Sequence, residues 1–162
     1  MASGAMKARI NYAHADPKAL QLLLAVEAHI GASSLEPKLL HLVKMRASQI
    51  NGCAFCLDMH SKDARADGET EQRLYSLDAW EEAPYYSDRE RAALEWTEAV
   101  TLLSNGHVPD STYERVRVHF SEAEVAALTL AAAMINSWNR LNVALRTEAG
   151  GYRPGMFKGL HA

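Results

Sequence analysis

Cys53 and Cys56 are the only two cysteines of the chain, and they stand three residues apart with His60 four residues further on. Two thiols at this spacing can close a small disulfide ring, and an imidazole four residues beyond the second can take a proton from it. On a helix, steps of three and four residues bring side chains onto one face, so Cys53, Cys56 and His60 would be neighbours. The first chemistry to consider is reversible dithiol redox. Gly52 ends the preceding segment and leaves Cys53 in the first turn of the next. There, unpaired N–H groups and the positive end of the helix dipole favour a thiolate. Cys53 is expected to be the more exposed thiol. Cys56, a turn deeper, would draw its activation mainly from His60. Phe55 and Leu57 flank the pair with apolar surface and would limit water access.

Two rival readings use the same residues. Cys53, Cys56 and His60, with His41 as a fourth donor, are a plausible zinc ligand set. Against it, structural zinc ties together domains too small to bury a core, and this chain of 162 residues can bury one unaided. Alternatively, the two cysteines simply pack. His14, His29, His107, His119 and His161 show no spacing logic and read as surface or capping residues.

The elements that must position these groups are all helical. Asp16-Pro17 opens a helix that Gly31 closes, and Pro37 opens a second that ends at Asn51-Gly52. A third runs from the cysteine pair to about Asp67, and Thr70 caps a fourth through Trp80. Ser87 and Glu90 form a capping box for a fifth that reaches Asn105-Gly106; Pro109-Asp110 starts a short sixth. Ser121 and Glu124 launch a seventh to about Arg146. Its apolar run from Val125 to Ile135 leaves almost no polar face, which fits a central core helix, a subunit contact, or both. The chain reads as one all-α domain over residues 16–149, with a flexible N-terminal segment 1–15 and an irregular tail 150–162. Met1–Met6 is small and featureless.

With 17 basic and 20 acidic residues the net charge is −3, without the basic face a nucleic-acid partner would require. The Val125–Ile135 run stops well short of the roughly 20 residues that span a bilayer. The N-terminus lacks the pattern of a secretory signal. The expectation is a cytoplasmic protein with no membrane partner, its thiols in a reducing compartment where a catalytic disulfide is more plausible than a structural one.

The run from Leu42 through Asn51-Gly52-Cys53-Ala54-Phe55-Cys56 to His60 resembles the carboxymuconolactone decarboxylase superfamily, and within it the alkylhydroperoxidase D-like branch. The likeness continues through Lys62–Arg65, Gly68–Leu74, Ser87–Trp96 and Ile135–Asn142. The resemblance implies a helical bundle that assembles as a trimer or hexamer and a thiol peroxidase acting in antioxidant defence, without cofactor or metal. In that scheme Cys56 attacks a hydroperoxide and becomes a sulfenic acid, and Cys53 resolves it to a disulfide. A lipoyl-type or thioredoxin-like dithiol then reduces the disulfide. His60 matches the proton-relay histidine. The branch's relay glutamate, about twelve residues before the first cysteine, is His41 here, an imidazole that can also carry protons. Phe55 stands where the branch places a histidine between the cysteines, making this site more apolar. Decarboxylation is disfavoured, since it has no use for a cysteine pair. Other readings are a non-peroxidase disulfide oxidoreductase and a redox-sensing oligomer.

Around the site, Arg46 is either a thiolate stabiliser or an ion-pair member, and Lys44 and Glu36 are weaker candidates. Trp138 and Asn139 are candidate pocket residues, and Tyr85 and Tyr86 a candidate lid.

Overall fold

Local capping chemistry sets most of the element boundaries. The structure, a computed structural model, describes residues 7–157; Met1–Met6 and residues 158–162, including His161, lie outside the described residues. Helix α1 is a single turn, Tyr12–Ala15, whose cap Asn11 accepts from the His14 amide. In α2, Pro17–Gly31, Asp16 accepts from the Ala19 amide at 3.0 Å and Pro17 occupies the first position, where its missing N–H costs nothing. Helix α3, Pro37–Asn51, stops at Gly52, whose φ of +65° is left-handed and suits only a residue without Cβ. That reversal delivers Cys53 as the N-cap of α4, Ala54–Ala66. Thr70 caps α5, Glu71–Tyr75. Complete capping boxes, Ser87 with Glu90 and Ser121 with Glu124, open α6, Asp88–Thr101, and α8, Glu122–Leu145. Between them lies α7, Asp110–His119.

Three departures from the sequence pattern have local causes. The helix expected from Thr70 to Trp80 breaks after Tyr75. Ser76 turns its hydroxyl back onto the Gln72 carbonyl at 2.7 Å, and a 3-10 turn, Leu77–Ala79, follows. The break lets both Leu77 and Trp80 reach the core, where the Trp80 indole donates to Glu98 at 2.7 Å. Likewise α6 ends at Thr101 and tightens into a 3-10 turn, Leu103–Asn105, before Gly106. The turn of α1 falls within a stretch that the sequence pattern leaves without structure.

Helix α3 is the centre of the bundle and packs against α4, α6 and α8. One apolar cluster joins α2, α3, α6, α7 and α8 through residues such as Val43, Ala93, Val116 and Leu128; a second gathers Leu42, Leu77, Trp80 and Leu94. Each fully buried leucine contributes roughly 2 kcal/mol by leaving water. The third cluster is small: Ala47, Cys53, Cys56 and Ile135, where α3, α4 and α8 meet. The sulfurs are therefore core atoms. Helix α8 is buried on most sides, as its composition implies, and shows solvent a strip that includes Ala126, Ala133 and Ser137. Among the described residues there is no strand, and no single helix is long and apolar enough to cross a membrane.

Candidate functional site: a buried sulfur pair beside a cavity

Cys53 and Cys56 are free thiols whose sulfurs stand 2.7 Å apart. That is well inside the separation of two sulfurs in ordinary non-bonded contact and approaches the roughly 2.05 Å of a disulfide. The Cys53 sulfur also accepts from the Cys56 amide at 3.4 Å, the N-cap bond that starts α4. The expectation that Cys53 is the more exposed thiol fails. Cys53 is 1% and Cys56 0% accessible, both enclosed in the cluster with Ala47 and Ile135 where α3, α4 and α8 meet.

The two thiols have opposite proton affinities. Cys53 is pulled down to about 7, first by the Cys56 S–H aimed at it, then by the Cys56 amide, the Asn139 side chain and the Phe55 amide, against the cost of burial. Cys56 is pushed far up, because its proton bridges to Cys53 and because burial and the neighbouring charge oppose ionisation; Asn139 and Asn142 pull only partly the other way. Of the two, Cys53 is the thiol that ionises first, and Cys56 keeps its proton. The Asn142 amide donates to the Cys56 sulfur at 3.4 Å, so a charge that moved there by transfer of that proton would also find a donor.

His60 is buried, and its imidazole makes no hydrogen bond to either sulfur; the donor place at Cys56 is taken by Asn142. Burial, with the charges of Lys44 and His41, holds its pKa well below the ordinary value, so it is neutral near pH 7. No fully enclosed side-chain nitrogen or oxygen among the described residues lacks a partner. His60 has none, so its nitrogens open to the cavity it lines. That cavity measures about 790 Å³. Phe55, Met59, Trp138 and Asn142 also line it; Phe55 and Trp138 pack against the cysteine cluster, and Asn142 bonds to the Cys56 sulfur.

His41 lines the same cavity, with its Nε2 2.8 Å from Asp67 Oδ2. It is brought near His60 but bonds to neither cysteine. Lys44 points into the cavity and pairs with Glu27 at 2.6 Å, and the Trp138 indole donates to the same carboxylate at 2.9 Å. Arg46 pairs with Glu98 at 2.6 Å and Glu36 with Arg89 at 3.0 Å, so both belong to ion pairs rather than to the thiols. Tyr86 donates to the Arg73 carbonyl and Tyr85 pairs with Ser76, in the second apolar cluster; neither is a lid over this cavity.

Sequence reasoning missed Glu27, Asn142 and the C-terminal tail. For Asn142 a signal existed: Asn136, Asn139 and Asn142 recur every three residues on an otherwise apolar helix, marking a polar stripe on a buried face. Asn139 accepts from Asn51 at 2.9 Å and donates to Ser48 at 3.0 Å, tying α8 to the end of α3 directly behind the sulfurs.

Among the described residues, no group of three or more His, Cys, Asp and Glu side chains is arranged to hold a metal ion. Two thiolates on one zinc stand roughly 3.8 Å apart, given Zn–S bonds of about 2.3 Å. This pair is closer and His60 bonds to neither sulfur, a geometry suited to forming a bond between the sulfurs.

Comparison with known proteins identifies the family and the fold. The model of the carboxymuconolactone decarboxylase family matches residues 17–99. The Bacillus subtilis (strain 168) protein YdfG, itself uncharacterized, is 44% identical over 144 residues, which cover 89% of this chain and 98% of that protein. A protein of unknown function from Agrobacterium tumefaciens, provisionally named for AhpD antioxidant defence, superimposes with a TM-score of 0.87 at 44% identity, covering 90% of this chain and 100% of that one. The debrominase Bmp8 shares the fold, with a TM-score of 0.77 at 19% identity over 85% of this chain and 74% of its own.

Proposed function

This chain belongs to the carboxymuconolactone decarboxylase family, and within it we propose that it is a dithiol peroxidase that reduces organic hydroperoxides through Cys53 and Cys56. The observation that carries the reading is the 2.7 Å pair of free thiols beside a cavity lined by the buried His60. Likeness to the AhpD-named Agrobacterium protein points the same way.

The roles follow from position. The thiolate charge forms at Cys53, where the helix N-terminus supports it. Transfer of the remaining proton from Cys56 to Cys53 moves the charge to Cys56, the sulfur linked to the cavity wall through Asn142. The Cys56 thiolate attacks the terminal oxygen of R–O–O–H. The O–O bond breaks, its electron pair leaves on the alkoxide, and the alkoxide takes a proton to give the alcohol. His60, a donor and an acceptor facing the cavity, hands over that proton. His41 passes replacement protons inward from the Asp67 rim. Cys53 then attacks the Cys56 sulfenic sulfur, the S–O bond breaks, and hydroxide leaves as water with the Cys53 proton. Two thiols have become one disulfide and the peroxide has gained two electrons. An external dithiol, of the lipoyl or thioredoxin kind, returns both electrons and both protons.

Repeated turnover tests this. Reduced protein with cumene hydroperoxide and excess dihydrolipoamide should consume many equivalents of peroxide per subunit. Oxidation that stops after one equivalent would instead mark a sensor. In the same assay His41→Glu should alter the pH–rate profile, since a carboxylate titrates well below an imidazole. An unchanged profile removes His41 from the relay.

A further inference from the structure

Beyond α8 the described residues, to Phe157, stay on the body of the bundle. Arg146 adopts a left-handed φ of +57°, and the following segment folds back over α4. We propose that this strap, residues 147–157, is the specificity wall of the site, with Tyr152 as its specificity-determining residue: it completes a largely apolar cavity that accepts compact apolar organic molecules, here hydroperoxides with an aryl or branched-alkyl body, in preference to hydrogen peroxide. The inference rests on the peroxidase reading for the reaction, and on geometry alone for the cavity.

Three anchors fix the strap. The Gly150 amide donates to Asp58 at 3.0 Å, and Gly150 reaches this position with a φ of +99° that disfavours other residues. Lys62 donates to the carbonyls of Tyr152 and Gly150 at 3.0 and 3.3 Å while paired with Asp58 at 2.8 Å. The Tyr152 hydroxyl donates to both oxygens of Asp63, at 2.8 and 3.0 Å. Asp58, Lys62 and Asp63 all belong to α4, the helix that carries Cys56 and His60. The wall is therefore rigidly referenced to the reacting groups. Tyr152 is buried, with its ring against Phe157 at 5.4 Å between centroids. Burial and then Asp63 push its hydroxyl up to about 12, so the anchor persists through any ordinary assay pH.

Leu20, Phe55, Met59 and Trp138 supply further apolar lining of the cavity. About 790 Å³ lies within the range of small-molecule sites. The buried His60, unpartnered and open to this space, supplies a hydrogen-bonding contact for a peroxide or hydroxyl group, beside the already paired His41 and Lys44. An apolar body gains from burial against the apolar side chains. Hydrogen peroxide has no body to bury and gains nothing from them.

The test compares kcat/KM for cumene hydroperoxide and hydrogen peroxide in the wild-type chain, Tyr152→Ala and Tyr152→Phe. Tyr152→Ala should lower the organic-to-hydrogen-peroxide ratio by about tenfold or more, mainly through KM for the organic substrate. Tyr152→Phe keeps the ring and loses only the Asp63 bonds, so its ratio should fall less. An unchanged ratio, or equal losses for both peroxides, overturns the proposal. Calorimetric binding of cumyl alcohol to the reduced protein needs no turnover. Affinity should drop about tenfold in Tyr152→Ala, and equal affinity, or no binding by the wild type, overturns the wall. If the wild type binds cumyl alcohol in this Tyr152-dependent way yet consumes neither peroxide, the wall stands and the peroxidase reading falls.

Discussion

Cys56→Ser should abolish hydroperoxide consumption, lowering kcat/KM by about a thousandfold or more, because a serine hydroxyl is a far weaker nucleophile than a thiolate at neutral pH. The fold should tolerate the change. Serine is slightly smaller, keeps a hydrogen-bonding atom for Asn142, and sits in a cluster whose other members are small or aliphatic. Cys53→Ser should behave differently. Its Cys56 can still attack once, but no second sulfur is present to displace hydroxide, so a sulfenic acid accumulates and a dimedone adduct at Cys56 reports it by mass. The opposite pattern, with Cys56→Ser active and Cys53→Ser inert, would make Cys53, the thiol that ionises first, the attacking sulfur.

Asn139→Ala should cost about 2–3 kcal/mol of stability and raise the first thiol pKa. Asn139 is almost fully buried; its carbonyl accepts from Asn51 and its amide donates to Ser48, so truncation strands two partners at the junction of α3 and α8. It also supports negative charge on either sulfur. In the wild type, thiolate absorbance should rise by one equivalent with a midpoint near 7, the second thiol staying protonated well into alkaline solution. In Asn139→Ala the midpoint moves up, so activity falls at neutral pH and recovers as pH rises. The sign extends to folding. The Cys53 value in the folded chain lies below its ordinary 9.0, so its contribution to stability is complete above 9.0 and is lost as pH falls through about 7. Cys56, which holds its proton more tightly folded than unfolded, opposes this above its unfolded value. Stability should therefore rise with pH between about 7 and 9, and less steeply in the variant. Urea midpoints measured across that window check both statements.

What could be read from the chain was local. Asp16 before Pro17, the Ser87–Glu90 and Ser121–Glu124 boxes, and Gly52 before the cysteine pair each act within four residues, and each appears in the structure where its chemistry places it. The all-α class followed from those signals and from the 3.6-residue periodicity between them. That Cys53 sits at the start of α4 was legible for the same reason, though it is the N-cap rather than part of the first turn. Its burial was not, because Ile135 comes from a helix more than 80 positions away. Likewise, nothing near Lys44 announces Glu27 as its partner, and nothing near Cys56 announces Asn142. The strap is the extreme case. Gly150, Gly151 and Pro154 correctly mark irregular backbone, but only tertiary contact with Asp58, Lys62 and Asp63 turns that irregular stretch into a cavity wall.

The central claim is that the two sulfurs exchange electrons with a peroxide and with each other. Reduced protein, freed of reductant, should be given one equivalent of cumene hydroperoxide and then examined by intact mass and peptide mapping, with the released alcohol quantified. The account predicts a mass loss of about 2 Da, a Cys53–Cys56 cross-link, and one cumyl alcohol per subunit. Peroxide left intact with both thiols still free, or peroxide consumed without that cross-link, would contradict it.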